Sequence, residues 1–299
     1  MRDPRLSEEP TTEPPPLGAA RAAASAAERE AADAAAGRGD AADGRNVNRT
    51  AARDMLRNTL ELLWHGWQAP AKGPRPRLTL DQIVAQAVAV ADAEGLDALS
   101  MRRIARELDV GTMSLYRYVP TKDVLLNLML DRVSEPAPAQ GAAVGTSWRG
   151  VLETAAQEGR ALYLRHPWLI QVNWTRPILG PSSVRSLEVV VAGLTDLPLR
   201  DQEKIMVITL LDAYVVGSVR QELLYEAAAD ETGLSEGEFW GTQLPYMEHA
   251  MASGAYPVLA TLDEDSFDGG WDETFDLGVR LFLDGLEREV GRRTLPESH

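Results

Sequence analysis

Between residues 79 and 126 the chain places a capping residue where a helix has to begin and a breaker where one has to stop. Thr79-Leu-Asp-Gln82 is a capping box, a hydroxyl and an amide each bonding the other's backbone N–H. Ile83, Ala87, Val90 and Ala91 then recur on one face, and Gly95 ends the run. Ser100 caps a second segment with Met101, Ile104, Ala105 and Leu108 facing inward. Asp109-Val110-Gly111 makes a turn, Thr112–Tyr118 a third short helix, and Pro120 breaks it. Thr121 caps a fourth helix, carrying Val124, Leu125, Leu128 and Met129. A bracing helix followed by two short helices at a tight turn is the helix-turn-helix layout.

The remainder reads as helical too. Helices are expected near Ser147–Leu164, Ser182–Leu194, Arg200–Ala228, Glu236–Gly254 and Glu273–Val290, punctuated by prolines at 167, 177, 181, 198, 245 and 257. No alternating strand pattern of useful length and no internal repeat is present, so the expected class is all-α. Residues 1–50, rich in proline and then alanine, read as a disordered tail. Residues 51–77 read as an amphipathic helix with Leu56, Leu60, Leu63, Trp64 and Trp67 on one face, then a linker at Pro70–Pro76. The expected domains are 78–126 for the helix-turn-helix, 127–293 for a helical bundle, and a tail at 294–299.

Composition excludes several classes. The chain has no cysteine, so disulfides, thiolate nucleophiles and cysteine-ligated zinc are out, which fits a cytoplasmic setting. No apolar run reaches the roughly 18 residues of a membrane span, and no signal-peptide core stands at the N-terminus. The formal net charge of −15 opposes phosphate binding in general, but Lys72 to Glu135 holds nine basic and nine acidic residues and is neutral. The acidic excess lies elsewhere, which favours local, site-directed contact with DNA over indiscriminate coating. No G-x-S-x-G, H-E-x-x-H or Walker pattern occurs, and His65, His166, His249 and His299 are scattered. His166 has no second ligand at useful spacing, and Asp263, Glu264 and Asp265 read as a solvated acidic loop. Neither an enzyme nor a metal or cofactor protein is expected.

A helix reads DNA when its first turns present side chains to base edges in the major groove. Thr112, Met113, Ser114 and Tyr116 lie toward the exposed end of the third helix, while Val110, Leu115 and Val119 point toward the core. Arg102 or Arg103 is placed to reach a guanine or a phosphate, and Tyr118 and Lys122 stand where the helix runs out, beside phosphate oxygens.

The run from Ala98 to Leu126, and within it Leu115-Tyr116-Arg117-Tyr118-Val119, Lys122-Asp123 and Leu125-Leu126, resembles the DNA-binding domain of the tetracycline-repressor (TetR) family. Ile83, Ala87 and Glu94-Gly95 match that family's first helix. His166-Pro167-Trp168 and Gly180-Pro181 are more loosely similar to the tetracycline-repressor-type C-terminal domain. The resemblance implies base-reading roles for Arg102, Thr112, Met113, Ser114 and Tyr116, and phosphate contacts from Ser100, Tyr118 and Lys122. Asp109 departs from the pattern, standing where the family usually has glycine. The resemblance further implies a homodimer that binds double-stranded operator DNA, associates with the nucleoid, and releases DNA on binding an unidentified small molecule.

Ile205–Val219, apolar nearly all round, and Phe275, Leu277, Leu281, Phe282 and Leu286 suit a four-helix dimer interface or, alternatively, the core of one chain. Trp148, Tyr163, His166, Trp168, Asn173, Trp174, Arg176 and Asp212 are the candidate effector contacts, each equally readable as structural. An effector-independent DNA binder or activator, or an interaction module built on the N-terminal extension, remain the alternative readings.

Overall fold

The computed structural model describes residues 50, 52–68, 78–136, 147–172, 177–263 and 265–294. The proline- and alanine-rich tail, the linker at 70–76 and the tail beyond 294 lie outside them. The chain divides into two units, 1–57 and 58–299. Of the first, residues 50 and 52–57 are described and helical. The described residues of the second contain helices and no strand: α1 (58–65), α2 (Leu80–Ala98), α3 (Met101–Glu107), α4 (Thr112–Tyr116), α5 (Lys122–Val133), α6 (Trp148–Arg165), α7 (Pro181–Gly193), α8 (Asp201–Thr232), α9 (Glu236–Ala252) and α10 (Trp271–Thr294). Short 3-10 turns cover Pro167–Gln171 and Leu259–Thr261.

The local signals act as expected. Thr79 and Gln82 form both bonds of the capping box. Ser100 accepts from the Arg103 N–H and Thr121 from the Val124 N–H. Gly95 takes a left-handed φ of 79° and ends the regular part of α2. The short α4 stops two residues before the expected Tyr118, because the Tyr118 and Val119 N–H groups both fold back on the Leu115 carbonyl. Helix α8 runs past Ala228 to Thr232, since nothing between them breaks a helix until Gly233 caps it with a left-handed φ of 67°. The stripe expected on the first amphipathic segment is displaced. Thr59 is its fully buried residue, whereas Leu56 is 41% and Trp64 49% exposed.

Two apolar cores result. Ile83, Ala87, Ile104, Leu115, Val119, Leu125 and Met129 fill the space among α2, α3, α4 and α5. Leu152, Ala156, Trp168, Leu169, Val215, Val219, Phe275 and Leu283 fill the second, where α6 packs on α8 and α10. Two carboxylates bind one bundle to the other. Asp92 of α2 accepts from the Trp168 indole N–H at 2.7 Å and lies 2.7 Å from His166 Nδ1. Asp131 of α5, itself buried, accepts from the backbone N–H groups of Ser182 and Ser183 and from the Ser183 hydroxyl. A Cβ at Gly180 would collide with that carboxyl group, so any larger residue there would have to displace Asp131. Helix α9, in contrast, buries none of its residues. No described helix is long and apolar enough to cross a membrane.

Asp109 holds a φ of 51°, alone among described non-glycine residues in the left-handed region. That conformation costs an L-residue about 1–2 kcal/mol, less for aspartate, while glycine adds unfolded-state entropy. Asp109→Gly is therefore expected to leave the melting temperature unchanged or raise it, by up to about 1 kcal/mol of stability. A clear drop in thermal melts would overturn the turn geometry.

Candidate nucleic-acid interface and effector region

Helix α4 has two sides of opposite character. Leu115, and Val119 just beyond the helix, are 0% exposed, so its inner side is locked into the first core. Met113 is 77% and Tyr116 44% exposed on the other side, with Thr112 and Ser114 half-buried between them. Val110 reaches only half-burial, because it belongs to the turn and not to the helix. The five-residue helix is anchored by Leu115 on its inner side and presents its other side chains outward. Ser100, Arg102, Arg103, Arg106, Gly111 and Thr112 border a shallow concavity of about 640 Å³ beside it.

The basic residues divide by what they already hold. Arg102 and Arg106 are exposed. Arg103 is occupied: its guanidinium bonds both oxygens of Glu94 on α2 and also Glu107. These hydrogen bonds raise Arg103 further above its ordinary pKa, and the bond from Arg103 lowers that of Glu94. Its charge is compensated and its side chain holds α3 to α2. Lys122 donates one N–H to the Leu96 carbonyl at 3.1 Å and stays exposed, leaving two donors. Tyr118 is 7% exposed, its ring 4.3 Å from that of Trp67. It is thus held inside the protein, where the sequence placed it beside a phosphate. Arg106 was missed, although its i,i+4 spacing from Arg102 puts both on one face of α3.

The effector candidates fall into separate groups. His166 and Trp168 meet at Asp92 and tie the bundles together, so both have structural partners. Tyr163 is buried on α6, and burial together with the nearby Asp212 carboxylate pushes its hydroxyl well above the usual tyrosine range. Asp212 keeps solvent access while protein surrounds much of it, and that crowding raises its carboxyl above the ordinary value. Trp148 stands at the opposite end of α6, about 22 Å along the helix from Tyr163. Asn173, Trp174 and Arg176 lie outside the described residues.

Sequence reasoning passed over a polar cluster in the same bundle. Arg160 of α6 bonds both oxygens of the buried Glu222 at 3.0 and 2.9 Å and Asp272 at 2.8 Å, and lies 5.3 Å from the Phe275 ring centre. On the outer side, Ile205, Met206, Leu210 and Leu224 of α8 and Leu277 and Leu281 of α10 are exposed. Phe275 and Leu286, for which the sequence left a dimer interface and the chain's own core both open, are buried in that core.

Comparison with known proteins agrees with this geometry. Residues 83–129 match the family described as "Bacterial regulatory proteins, tetR family", and residues 138–290 match "Tetracyclin repressor-like, C-terminal domain". The chain is 50% identical over 238 residues to the HTH-type transcriptional repressor DrrR1 of Streptomyces coeruleorubidus, covering 80% of this chain and 88% of that protein. It is 34% identical over 231 residues to an HTH-type transcriptional regulator of Saccharopolyspora erythraea, covering 75% of this chain and 92% of the relative. Among solved structures it is similar to ActR of Streptomyces coelicolor without ligand, at TM-score 0.56 and 28% identity, over 72% of this chain and 100% of ActR. ActR in complex with actinorhodin matches at TM-score 0.51 and 28% identity, over the same shares of both chains. The chain therefore belongs to the TetR family of bacterial transcriptional regulators, as a DNA-binding repressor of transcription and not an enzyme.

Proposed function

We propose that the protein acts as a homodimer whose two copies of α4 enter successive major grooves of a pseudo-palindromic operator, about one helical turn or somewhat more apart. The observation that carries this is the two-sidedness of α4: Leu115 locked inside, Met113 and Tyr116 held outside. Met113 is suited to a thymine methyl group, and Thr112, Ser114 and Tyr116 to hydrogen bonds at base edges. Arg102, with Arg106 beside it, supplies positive charge to a guanine or phosphate, and Ser100 and Lys122 contact the backbone. Arg103 and Tyr118 act indirectly, by holding α3 and the end of α4 in place.

The exposed aliphatic residues of α8 and α10 support dimerisation by pairing with their copies. Similarity to ActR, whose solved complex holds actinorhodin, supports a small-molecule effector for this chain too. The effector favours an arrangement whose helix spacing no longer fits the operator, so DNA is released through differential affinity. The operator places the protein in the cytoplasm, at the nucleoid.

Fluorescence anisotropy on fragments flanking the protein's own gene tests the reading. Tyr116→Ala is expected to lose about 1–3 kcal/mol at the operator and little on unrelated DNA; equal binding by parent and variant removes Tyr116 from the reading set. Lys122→Ala is expected to weaken binding to every sequence and reduce the salt slope by about 1. An unchanged slope would exclude its phosphate contact. Light scattering at micromolar concentration should report a dimer for the parent and a monomer for Leu281→Asp. A monomeric parent would sink the two-groove arrangement.

A further inference from the structure

The two family regions, 83–129 and 138–290, leave α1 outside both. Nevertheless α1 and the residues after it touch the DNA-reading helix and the effector domain at once. Trp67 Nε1–H donates to the Arg117 carbonyl at 2.9 Å, and its ring lies against Tyr118. Arg117 caps the C-terminal end of α4, so this bond lands on the end of the recognition helix itself. Trp64, three residues earlier, donates its Nε1–H to the Leu179 carbonyl at 3.2 Å. Leu179 precedes Gly180 and the start of α7, the segment gripped by Asp131.

The local sequence builds this two-ended contact. Thr59 is fully buried and seats the helix. Gly66 takes a left-handed φ of 68° while its N–H bonds the Leu62 carbonyl, which ends the helix and turns Trp67 off its path. The two indoles can then face different targets although they are close in sequence.

We propose that residues 58–67 form a strap that sets the attitude of the recognition helix toward the effector domain, with Trp67 as its positioning residue. The inference rests on α4 being the DNA-reading helix. The chain between α5 and α6 is the covalent connection between the bundles, and the strap is a second, non-covalent one. Each indole N–H ends on a backbone carbonyl of a different bundle, and such bonds weaken steeply once the donor leaves the line of the acceptor. A rotation of α2–α4 against α7 cannot keep both. The strap thus favours the arrangement in which both bonds exist, and a state with altered helix spacing has to give one up.

Trp67→Phe keeps a ring against Tyr118 but has no donor, and Trp64→Phe cuts the other end. Both are compared with the parent on the tightest-binding fragment from the protein's own promoter region and on a scrambled duplex of equal length. Melting temperature and amide hydrogen exchange of residues 112–119 and 177–183 are followed in parallel. Each variant is expected to bind the promoter fragment about fivefold more weakly, with scrambled-duplex binding unchanged. Exchange should rise in 112–119 for Trp67→Phe and in 177–183 for Trp64→Phe. Combining the two should cost less than the sum, because one helix carries both bonds. Unchanged promoter affinity together with unchanged exchange in both segments would overturn the strap. A parent that does not distinguish the promoter fragment from the scrambled duplex would count against the DNA reading instead; the exchange data then decide the strap alone.

Discussion

The Asp131 carboxylate at the N-terminus of α7 is the interaction on which the relative placement of the two bundles rests. Helix α7 begins at Gly180-Pro181 without a side-chain cap of its own, and Asp131 reaches across from α5 to supply one. A carboxylate this buried would be costly without partners. Here two backbone N–H groups, a hydroxyl and the positive end of a helix dipole surround it. The close approach leaves no room for a Cβ at 180 unless Asp131 is displaced. The last helix of the DNA-reading bundle and the first helix after the 177–180 stretch therefore share one hydrogen-bonded joint.

The second joint, at Asp92, engages the other side of the first bundle through His166 and Trp168. Both of its donors sit at the start of a 3-10 turn that packs on α2 and α6. Any displacement of this turn would act directly on α2, the first helix of the DNA-binding bundle. Interfaces of this kind, polar and directional, have discrete arrangements and do not deform continuously. Charge is handled locally in the same way. Arg103 is engaged by Glu94 and Glu107 while Arg102 and Arg106 stay exposed, so two guanidinium groups remain open to solvent on α3 in a chain of net charge −15.

The helical layout was legible from particular residues. Thr79, Ser100 and Thr121 mark helix starts because each satisfies an N–H three residues ahead, an interaction contained in one turn. Leu115 inward and Tyr116 outward follow from helical period alone. The two tyrosines of Leu115-Tyr116-Arg117-Tyr118 show where that logic stops. They look alike in sequence, yet Tyr118 is covered by Trp67, 51 positions upstream, and Tyr116 is not. Arg102 and Arg103 are separated in the same way by Glu94, nine positions before Arg103.

The sequence by itself determined the helices, their caps, the turn at Asp109 and the outward side of α4, because capping, periodicity and backbone sterics act within a few residues. Only the tertiary structure decided which polar side chains belong to the joints. Asp92 and Asp131 read as ordinary solvent-facing charges on helices, and nothing near them in the chain names their partners. Those partners lie 74, 76, 51 and 52 positions away. Helix packing alone brings them within hydrogen-bonding distance, and burial then turns the same side chains from solvated charges into the ties that hold the reader to the rest of the molecule.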